Sequence, residues 1–433
     1  MLFRSRALVV ESPHSSLDDH LRRIGIEPVR LDKVPDEATL IRALRETRAE
    51  VLFKRSRILV TREVLAACPE LQAVQLCCIG DDSVDKAAAA EAGVLVFNDP
   101  VSNGRSVMEM AIGLMLTLSR RLFETNDATH AHLWDKSDRE RFEVLGKRLG
   151  IVGLGNIGRQ VAKAAAALGM EVQFYDSRFV AQEVGLEMGW RRCGDMAELF
   201  RTSDIVSVHT SARDAWDNDN GGLFDPYLGQ LAAERGETSP RVFLNLARGN
   251  LFDPERLREA VREGAIRRAA VDVYPDEPSP GQGWENPYHD LPQVVCTPHI
   301  GAATQEAQPR IAARVARTIG QFSRFGGIRD CVFAPRAELS LPPPELGQAV
   351  LVVVHSTQVG TRKAVSDGIF EARVSTLGSM QQDFPVGVAV DLSVLDRALT
   401  DDEVGGLVAH AARVTGDPRA VRAVRQVVVE GRW

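Results

Sequence analysis

The chain of 433 residues lacks the features that mark membrane, secreted and nucleic-acid-binding proteins. No stretch approaches the ~18 consecutive apolar residues of a membrane span. The apolar run at residues 7–10 is too short for a signal peptide. A net charge of −7 gives no argument for binding to nucleic acid or to an anionic membrane surface. We therefore expect a cytoplasmic protein.

Cysteine is also scarce, because the chain has only six, none in a CxxC pair and few near a histidine. No metal site is predicted. A chain this long buries a core and does not depend on disulfides. Because the neighbours of the cysteines are apolar, we predict buried free thiols at Cys68, Cys77, Cys78, Cys193, Cys296 and Cys331.

What the sequence does contain is a regular alternation of short apolar runs and helical patterns. Such alternation is typical of parallel sheets covered by helices, and the length allows two to four domains of ~150 residues each. The first part of the chain is predicted to hold strands at 7–10, 51–53, 73–77 and 94–97, and helices at 37–46 and 86–92. A long apolar helix at 106–121 leads to the next unit.

The second α/β unit begins near Lys147. Its predicted strands are 149–152, 172–175, 205–209, 242–245, 269–273 and 294–296, and its first helix is 160–168. Between the third and fourth of these strands the pattern predicts a long surface loop, from 209 to 241, around one helix at 226–235.

Three consecutive prolines, Pro342 to Pro344, follow a helical pattern at 305–325. Proline continues neither a helix nor a central strand, so this segment predicts a linker. The βαββαβ order that follows predicts a small ferredoxin-like module. Its predicted strands are 349–354, 373–377, 386–392 and 426–429, and its predicted helices are 361–370 and 401–414.

A glycine fingerprint, Gly153-Leu154-Gly155-Asn156-Ile157-Gly158, follows the first strand of the second unit and opens its first helix. Gly153 permits the tight turn, Gly155 lets the backbone approach a pyrophosphate, and Gly158 lets the helix pack on the strand. The amides of Asn156 and Ile157 would point at the phosphate from the helix N-terminus. The alternative interpretation is a glycine-rich turn without a ligand.

Asp176 ends the next predicted strand, 18 residues after Gly158. At this place a carboxylate would accept hydrogen bonds from the adenosine ribose hydroxyls. Its charge would repel a 2′-phosphate, which predicts NAD rather than NADP as the cofactor. Arg178 lies nearby and is the residue that weakens this preference.

Arg248, Glu277 and His299 each follow a predicted strand of the same sheet. Because ligands bind at the carboxyl ends of parallel strands, we expect these side chains to converge. Arg248 would hold a substrate carboxylate and polarise the adjacent carbonyl. His299 would exchange a proton with that carbonyl, and Glu277 would favour the imidazolium and orient the ring. The set predicts hydride transfer to or from a 2-hydroxy acid. A satisfied polar histidine, and a bracing role for Asp253 and Asp272, are the alternatives.

With these residues, the chain resembles the D-isomer-specific 2-hydroxyacid dehydrogenases over roughly residues 5–330. Cys78-Ile79-Gly80 with Val84-Asp85 resembles the substrate-carboxylate loop of the family, and the string from Phe97 to Val107 resembles its interdomain helix start. Thr297-Pro298-His299-Ile300-Gly301 with Thr304-Gln305-Glu306-Ala307-Gln308 is similar to the branch that oxidises 3-phosphoglycerate and carries a C-terminal ACT domain.

The resemblance implies an NAD-dependent α/β enzyme of two Rossmann-like lobes, working as a homodimer or homotetramer on a small anionic 2-hydroxy or 2-oxo acid. It implies a substrate lobe (1–104 and 302–334), an NAD lobe (105–301), a linker (335–346) and an ACT-like domain (347–433). The implied catalytic residues are Arg248, Glu277 and His299. The implied cofactor-binding residues are Gly153, Gly155, Asn156, Ile157, Gly158, Asp176, His209, Leu246, Ala247, Asp272 and Gly301. The implied substrate-binding residues are Arg55, Ser56, Ile79, Gly80, Asn103 and Arg105.

Departures from the family keep other functions open. Asp81 and Asp82 place two acids beside a loop expected to bind an anion, so a dehydrogenase for another 2-oxo acid is the main alternative. An NAD-sensing protein without turnover is a third hypothesis, which the intact catalytic set argues against. His355 stands where serine-binding ACT domains carry a histidine, but Thr357 replaces an expected asparagine. Amino-acid sensing and a role in assembly alone are therefore both open for this module.

Overall fold

The computed structural model describes residues 5–213, 218–278, 282–333 and 338–428. The chain forms two compact units, Met1–Ser102 with Gln308–Trp433 and Asn103–Ala307. In the described ranges no helix is long and apolar enough to cross a membrane. The domain boundaries given above stay a prediction, and their residues 1–4, 334–337 and 429–433 lie outside the described ranges.

A five-stranded parallel sheet forms the N-terminal part of the first unit, with the order β2-β1-β3-β4-β5. Its strands are β1 Ser5–Val9, β2 Ile26–Arg30, β3 Val51–Lys54, β4 Ala73–Leu76 and β5 Leu95–Phe97. Its helices are α1 Ser16–Arg23, α2 Glu37–Thr47, α3 Arg62–Ala67 and α4 Lys86–Ala92. The sequence pattern did not predict β2, because this edge strand is half polar and contains Pro28.

The second unit is built on a seven-stranded parallel sheet with the order β12-β11-β10-β9-β6-β7-β8. Its strands are β6 Arg148–Val152, β7 Glu171–Tyr175, β8 Arg191–Arg192, β9 Ile205–Val208, β10 Val242–Asn245, β11 Arg268–Val271 and β12 Val294–Cys296. Its helices are α5 Gly104–Ser119, α6 Leu122–His130, α7 Asn156–Ala167, α8 Phe179–Glu187, α9 Met196–Thr202 and α10 Pro254–Arg262. The strand order reverses between β6 and β9, where a doubly wound sheet opens a crevice for ligands.

The helix predicted at 226–235 is wrong. The segment forms turns, with only a three-residue 3-10 helix at Leu228–Gln230. Ala232 is left-handed (φ 57°), and its N–H donates to the carbonyl of Phe200 at 2.9 Å. The segment therefore satisfies its backbone against the end of α9 instead of within a helix. Residues 214–217 of the predicted loop lie outside the described ranges.

The rest of the first unit begins with α11 Ala307–Phe325 and ends with an antiparallel sheet of order β14-β15-β13-β16. The later elements are β13 Ala349–Ser356, α12 Thr361–Glu371, β14 Thr376–Phe384, β15 Val388–Leu395, α13 Asp401–Thr415 and β16 Val421–Val428. The predicted βαββαβ module is confirmed, although β14 begins three residues later than expected. Val350, Val352 and Val354 of β13 belong to the same hydrophobic core as the sheet β1–β5.

All six cysteines lie in the described ranges and are free, as predicted. Four are buried, but Cys78 and Cys296 are partly exposed. Cys78 is in the loop after β4, and Cys296 ends the edge strand β12, so neither has neighbours on all sides.

Candidate active site

The three predicted catalytic residues follow three neighbouring strands. β10, β11 and β12 are adjacent and parallel. Arg248 follows β10, Glu277 follows β11, and His299 follows β12. Because the carboxyl ends of parallel strands meet at one edge of the sheet, the fold carries all three loops to the same edge.

Glu277 and His299 form a direct pair, with 2.8 Å between Oε2 of the carboxylate and Nδ1 of the ring. Although burial raises the pKa of Glu277, the hydrogen bond with His299 and the charges of His299 and Arg248 lower it below its ordinary value. The carboxylate is therefore charged when it holds the ring. The side chain of His299 is 46% exposed, and its Nε2 faces away from Glu277.

The Arg248 loop is held by the side chain of Asn245, the last residue of β10. The Nδ2 of Asn245 donates to the carbonyl of Arg248 at 2.9 Å, and its Oδ1 accepts from the N–H of Ala247 at 3.1 Å. A Cβ on Gly249 would lie 2.0 Å from the carbonyl carbon of Tyr274. Only glycine lets the Arg248 loop pack this closely against the loop that carries Glu277.

The loop of His299 is fixed by Asp272, which is almost fully buried. Its carboxylate accepts hydrogen bonds from the hydroxyl of Thr297 (2.6 Å) and from the N–H groups of Ile300 (2.9 Å) and Gly301 (2.8 Å). These contacts support a left-handed backbone at His299 (φ 55°), which is uncommon for a residue other than glycine. Asp272 thus has the bracing role that was an alternative to its predicted contact with the cofactor, and that contact stays a prediction.

The glycine fingerprint forms the turn between β6 and α7, and its shape fits a dinucleotide. Gly153 has φ 89°, and a Cβ on Gly158 would lie 2.1 Å from the carbonyl oxygen of Gly153. At Gly155, in contrast, the atom nearest to an added Cβ would be Nη2 of Arg178 at 3.8 Å. The backbone is therefore open at the N-terminus of α7, where a pyrophosphate would meet Asn156 and its neighbours.

Asp176 follows β7, and its carboxylate is already engaged by four donors. Oδ1 accepts from the backbone N–H and Nε of Arg178 at 2.9 Å each, and Oδ2 accepts from Nη2 of Arg178 and from the N–H of Leu154 at 2.7 Å. Burial raises the pKa of Asp176, but these hydrogen bonds lower it below its ordinary value. The sequence placed Arg178 near Asp176 but did not predict this bidentate pair.

The remaining predicted cofactor residues line the ends of central strands. His209 follows β9, where its Nε2 lies 2.9 Å from Oγ of Ser207. Burial lowers the pKa of His209 to about 4, so that its ring is neutral. Leu246 and Ala247 follow β10 and are buried. Their contacts with a cofactor stay a prediction.

Four of the predicted substrate residues lie in the first unit. Arg55 and Ser56 follow β3, and Ile79 and Gly80 lie in the loop after the neighbouring parallel strand β4. The carbonyl of Ile79 accepts a hydrogen bond from Nδ2 of Asn98 at 2.7 Å. The first unit therefore brings both loops to the carboxyl edge of its sheet.

The other two predicted substrate residues open α5 in the second unit. Asn103 is its N-cap residue and is 9% exposed. Arg105 is exposed and forms an ion pair with Glu109 on the next turn of the helix. Their contacts with a substrate stay a prediction.

Comparison with known proteins agrees with this geometry. Residues 112–301 match the D-isomer specific 2-hydroxyacid dehydrogenase, NAD binding domain. The chain belongs to the D-isomer specific 2-hydroxyacid dehydrogenase family, and is an NAD-dependent oxidoreductase.

The names of its relatives within the family specify one enzyme. The D-3-phosphoglycerate dehydrogenase of Haemophilus influenzae is 34% identical over 394 residues, which cover 90% of this chain and 92% of that protein. The enzyme of the same name from Escherichia coli K12 is 34% identical over 363 residues, which cover 83% of each chain. A solved structure from Thermus thermophilus is 28% identical, has a TM-score of 0.60, and covers 77% of this chain and 99% of its own.

Proposed function

We propose that the chain catalyses the NAD-dependent oxidation of 3-phospho-D-glycerate to 3-phosphohydroxypyruvate, the first step of serine biosynthesis. The observation that carries the chemistry is the 2.8 Å contact between Glu277 and His299, on loops that leave the same edge of the sheet as the loop of Arg248. The choice of substrate is supported by the similarity to D-3-phosphoglycerate dehydrogenases over nine-tenths of the chain.

In this reaction Arg248 holds the C1 carboxylate of the substrate through its fork of N–H donors. His299 accepts the proton of the C2 hydroxyl at Nε2, because Nδ1 is occupied by Glu277. The C2–H electron pair leaves as hydride, and the C2–O bond becomes a carbonyl. Bound NAD⁺ supplies the hydride acceptor. Glu277 stabilises the imidazolium that results, and in the reverse direction the same ring donates its proton to the carbonyl oxygen.

We propose that Arg55 and Ser56, which directly follow β3, bind the phosphate of the substrate. Asp81 and Asp82 argued against an anionic substrate in the sequence, but the structure weakens this argument. Asp81 forms an ion pair with Nζ of Lys86 at 3.3 Å, and Asp82 is exposed. The charge of Asp81 is therefore partly offset before a substrate arrives.

Steady-state assays of the purified chain test this proposal. NAD reduction with 3-phosphoglycerate, and NADH oxidation with phosphohydroxypyruvate, are expected. A panel of unphosphorylated 2-oxo acids with NADH is the comparison. If an uncharged side chain is preferred, the substrate assignment is wrong, and tight NADH binding without turnover of any acid favours the sensor instead. Arg55→Ala should raise KM for the phosphorylated substrate far more than for an unphosphorylated one.

We also propose that the chain works as a homodimer or homotetramer in the cytoplasm. In the single chain Leu133 and Trp134 are 62% and 83% exposed. Exposed apolar side chains of this kind are often covered by a partner subunit. The free cysteines favour a reducing compartment. Light scattering during size-exclusion chromatography measures the mass, and a monomer would contradict the proposed assembly.

The C-terminal module is proposed to serve assembly rather than amino-acid binding at His355. The ring of His355 is 1% exposed. Its Nδ1 lies 2.8 Å from the carbonyl oxygen of Ser356, and its Nε2 lies 3.3 Å from Oδ1 of Asp391. Nδ1 is hydrogen-bonded within the module, and the buried Nε2 faces Asp391 inside the module rather than solvent. Calorimetric titration with serine tests this, and saturable binding that His355→Ala abolishes would contradict it.

A further inference from the structure

Lys54 is a fully buried lysine at the end of β3, directly before Arg55. The other residues of this strand are the apolar Val51, Leu52 and Phe53, all buried. Burial lowers the pKa of Lys54, whereas the charge of Glu11 raises it. An ammonium group is unfavourable in such a place unless its donors are satisfied. Packing therefore does not account for a lysine at this position.

The contacts of Lys54 join two loops. Its Nζ donates to the carbonyl of Arg55 at 2.8 Å and to Oγ of Ser83 at 2.6 Å. Ser83 belongs to the segment that begins with Ile79 and Gly80. A single buried ammonium thus connects the loop after β3 with the loop after β4, and both loops carry residues proposed to bind substrate.

Glu11 holds the same loop from the other side. It follows β1, the neighbour of β3 in the parallel sheet, and it is 8% exposed. Its two carboxylate oxygens accept hydrogen bonds from the backbone N–H groups of Arg55 and Ile58. Glu11 itself is left-handed (φ 63°), a conformation that is unfavourable for a residue with a Cβ. The strained backbone is retained where it aims the carboxylate at this loop.

The two side chains therefore act on consecutive backbone groups. Glu11 binds the N–H of Arg55, and Lys54 binds its carbonyl. Ser56 and Arg57 lie between these fixed points and are exposed. The clamp of Glu11 and Lys54 fixes the backbone and leaves the polar side chains of the loop accessible to a ligand.

We propose that Glu11 and Lys54 are positioning residues that fix the Arg55 loop for the anionic substituent of the substrate, and so set the preference for phosphorylated over unphosphorylated 2-oxo acids. This inference rests on the proposed function, because it assigns the substituent to the Arg55 loop. Neither side chain has to touch the substrate, since both act through the backbone of Arg55.

The test compares the variants Lys54→Met and Glu11→Gln with the parent chain, each at full length. Methionine keeps the length of the side chain without the charge and donors, and glutamine keeps an acceptor without the charge. KM and kcat are measured with NADH for phosphohydroxypyruvate and for hydroxypyruvate. A displacement of about 1 Å in a positioning group can reduce the reaction rate up to ~100-fold. We therefore expect KM for the phosphorylated acid to rise about 10-fold or more, and kcat to change less than about threefold. KM for hydroxypyruvate should change much less.

Lys163→Met, at an exposed lysine of α7 in the other unit, is the matched control and should leave both KM values as they are. NADH titration checks that each variant retains the folded second unit. Equal changes of KM for the two acids, or none, would overturn the proposal.

Hydrogen exchange of the segment 54–59 gives a readout that does not depend on turnover. The amides of Arg55 and Ile58 should exchange faster in Glu11→Gln than in the parent chain, because their acceptor is weakened. Unchanged exchange in both variants would overturn the clamp. If the parent chain does not reduce phosphohydroxypyruvate, the proposed function fails, and the exchange measurement alone then decides whether the clamp exists.

Discussion

The preference for NAD over NADP should depend on Asp176 and on the guanidinium bound to it. In the structure the carboxylate of Asp176 is 6% exposed and is paired with Arg178 through Nε at 2.9 Å and Nη2 at 2.7 Å. The carboxylate of Asp176 neutralises Arg178, and we expect it also to accept hydrogen bonds from the ribose hydroxyls of NAD. With Asp176→Ala, the guanidinium is released and presents a charge that suits a 2′-phosphate.

The size of the effect follows from the interactions that are lost. A hydrogen bond to a charged group contributes about 1.5–3 kcal/mol, so one such bond to ribose corresponds to about 10- to 150-fold in the apparent affinity for NADH. The N–H of Leu154 also loses its acceptor in Asp176→Ala. Asp176→Asn keeps an oxygen for that N–H while it removes the charge, and it separates the electrostatic effect from a distortion of the turn.

The assay is kcat/KM for NADH and NADPH with one 2-oxo acid at saturation. Asp176→Ala should lower the NADH:NADPH ratio by about 10-fold or more, with a gain for NADPH. Arg178→Ala should retain the preference for NADH, and the double variant should lose the gain for NADPH. If the NADH:NADPH ratio of kcat/KM in Asp176→Ala stays within about threefold of the parent value, Asp176 does not bind the ribose and the reasoning is refuted.

Three further outcomes are expected. Glu277→Gln should lower kcat for 2-oxo acid reduction, because reduction needs the imidazolium of His299 and the carboxylate that stabilises and orients it is gone. Gly249→Ala should lower kcat about 100-fold, because its Cβ would lie 2.0 Å from the backbone of Tyr274 and displace the Arg248 loop. Cys77, whose pKa burial raises, should not react with a thiol reagent until the protein is denatured.

Each of these outcomes has its own control. An unchanged kcat in Glu277→Gln would mean that the carboxylate does not support the histidine in the reaction. Gly229→Ala is the control for Gly249→Ala, because a Cβ added at Gly229 would meet no neighbouring atom within 4 Å. Labelling of Cys77 in the native protein at the rate of the partly exposed Cys78 would contradict its burial.

The sequence could predict that the loops of the three proposed catalytic residues share one sheet edge, because this follows from a rule of sheet geometry. Arg248, Glu277 and His299 stand directly after buried strands, and the carboxyl ends of adjacent parallel strands meet at one edge. The pattern could identify the polar residues after each strand without knowledge of the strand order. The residues that hold them, such as Asn245 and Asp272, were less evident, because a polar residue next to a strand is as often structural as functional.

Other features could not be read from local patterns. Phe224, Leu228 and Leu231 are buried at a spacing close to that of a helix, yet the left-handed Ala232 and bonds to α9 make this segment a series of turns. Glu11 and Arg55 are 44 residues apart and meet only because β1 and β3 are neighbours. Contacts of this kind depend on strand order, which apolar periodicity does not encode.

In the proposed function, the chemistry and the recognition of the phosphate depend on different parts of this chain. The family match covers residues 112–301, which hold the glycine turn, the three proposed catalytic residues and Asp176. These features are needed for any 2-hydroxy acid, so they say little about which acid is used. Recognition of a phosphate is proposed for the other unit, where Lys54 is buried at a position that an aliphatic residue would fill at lower energy. A buried lysine that the fold alone does not require is therefore more informative about the substrate than the proposed catalytic residues.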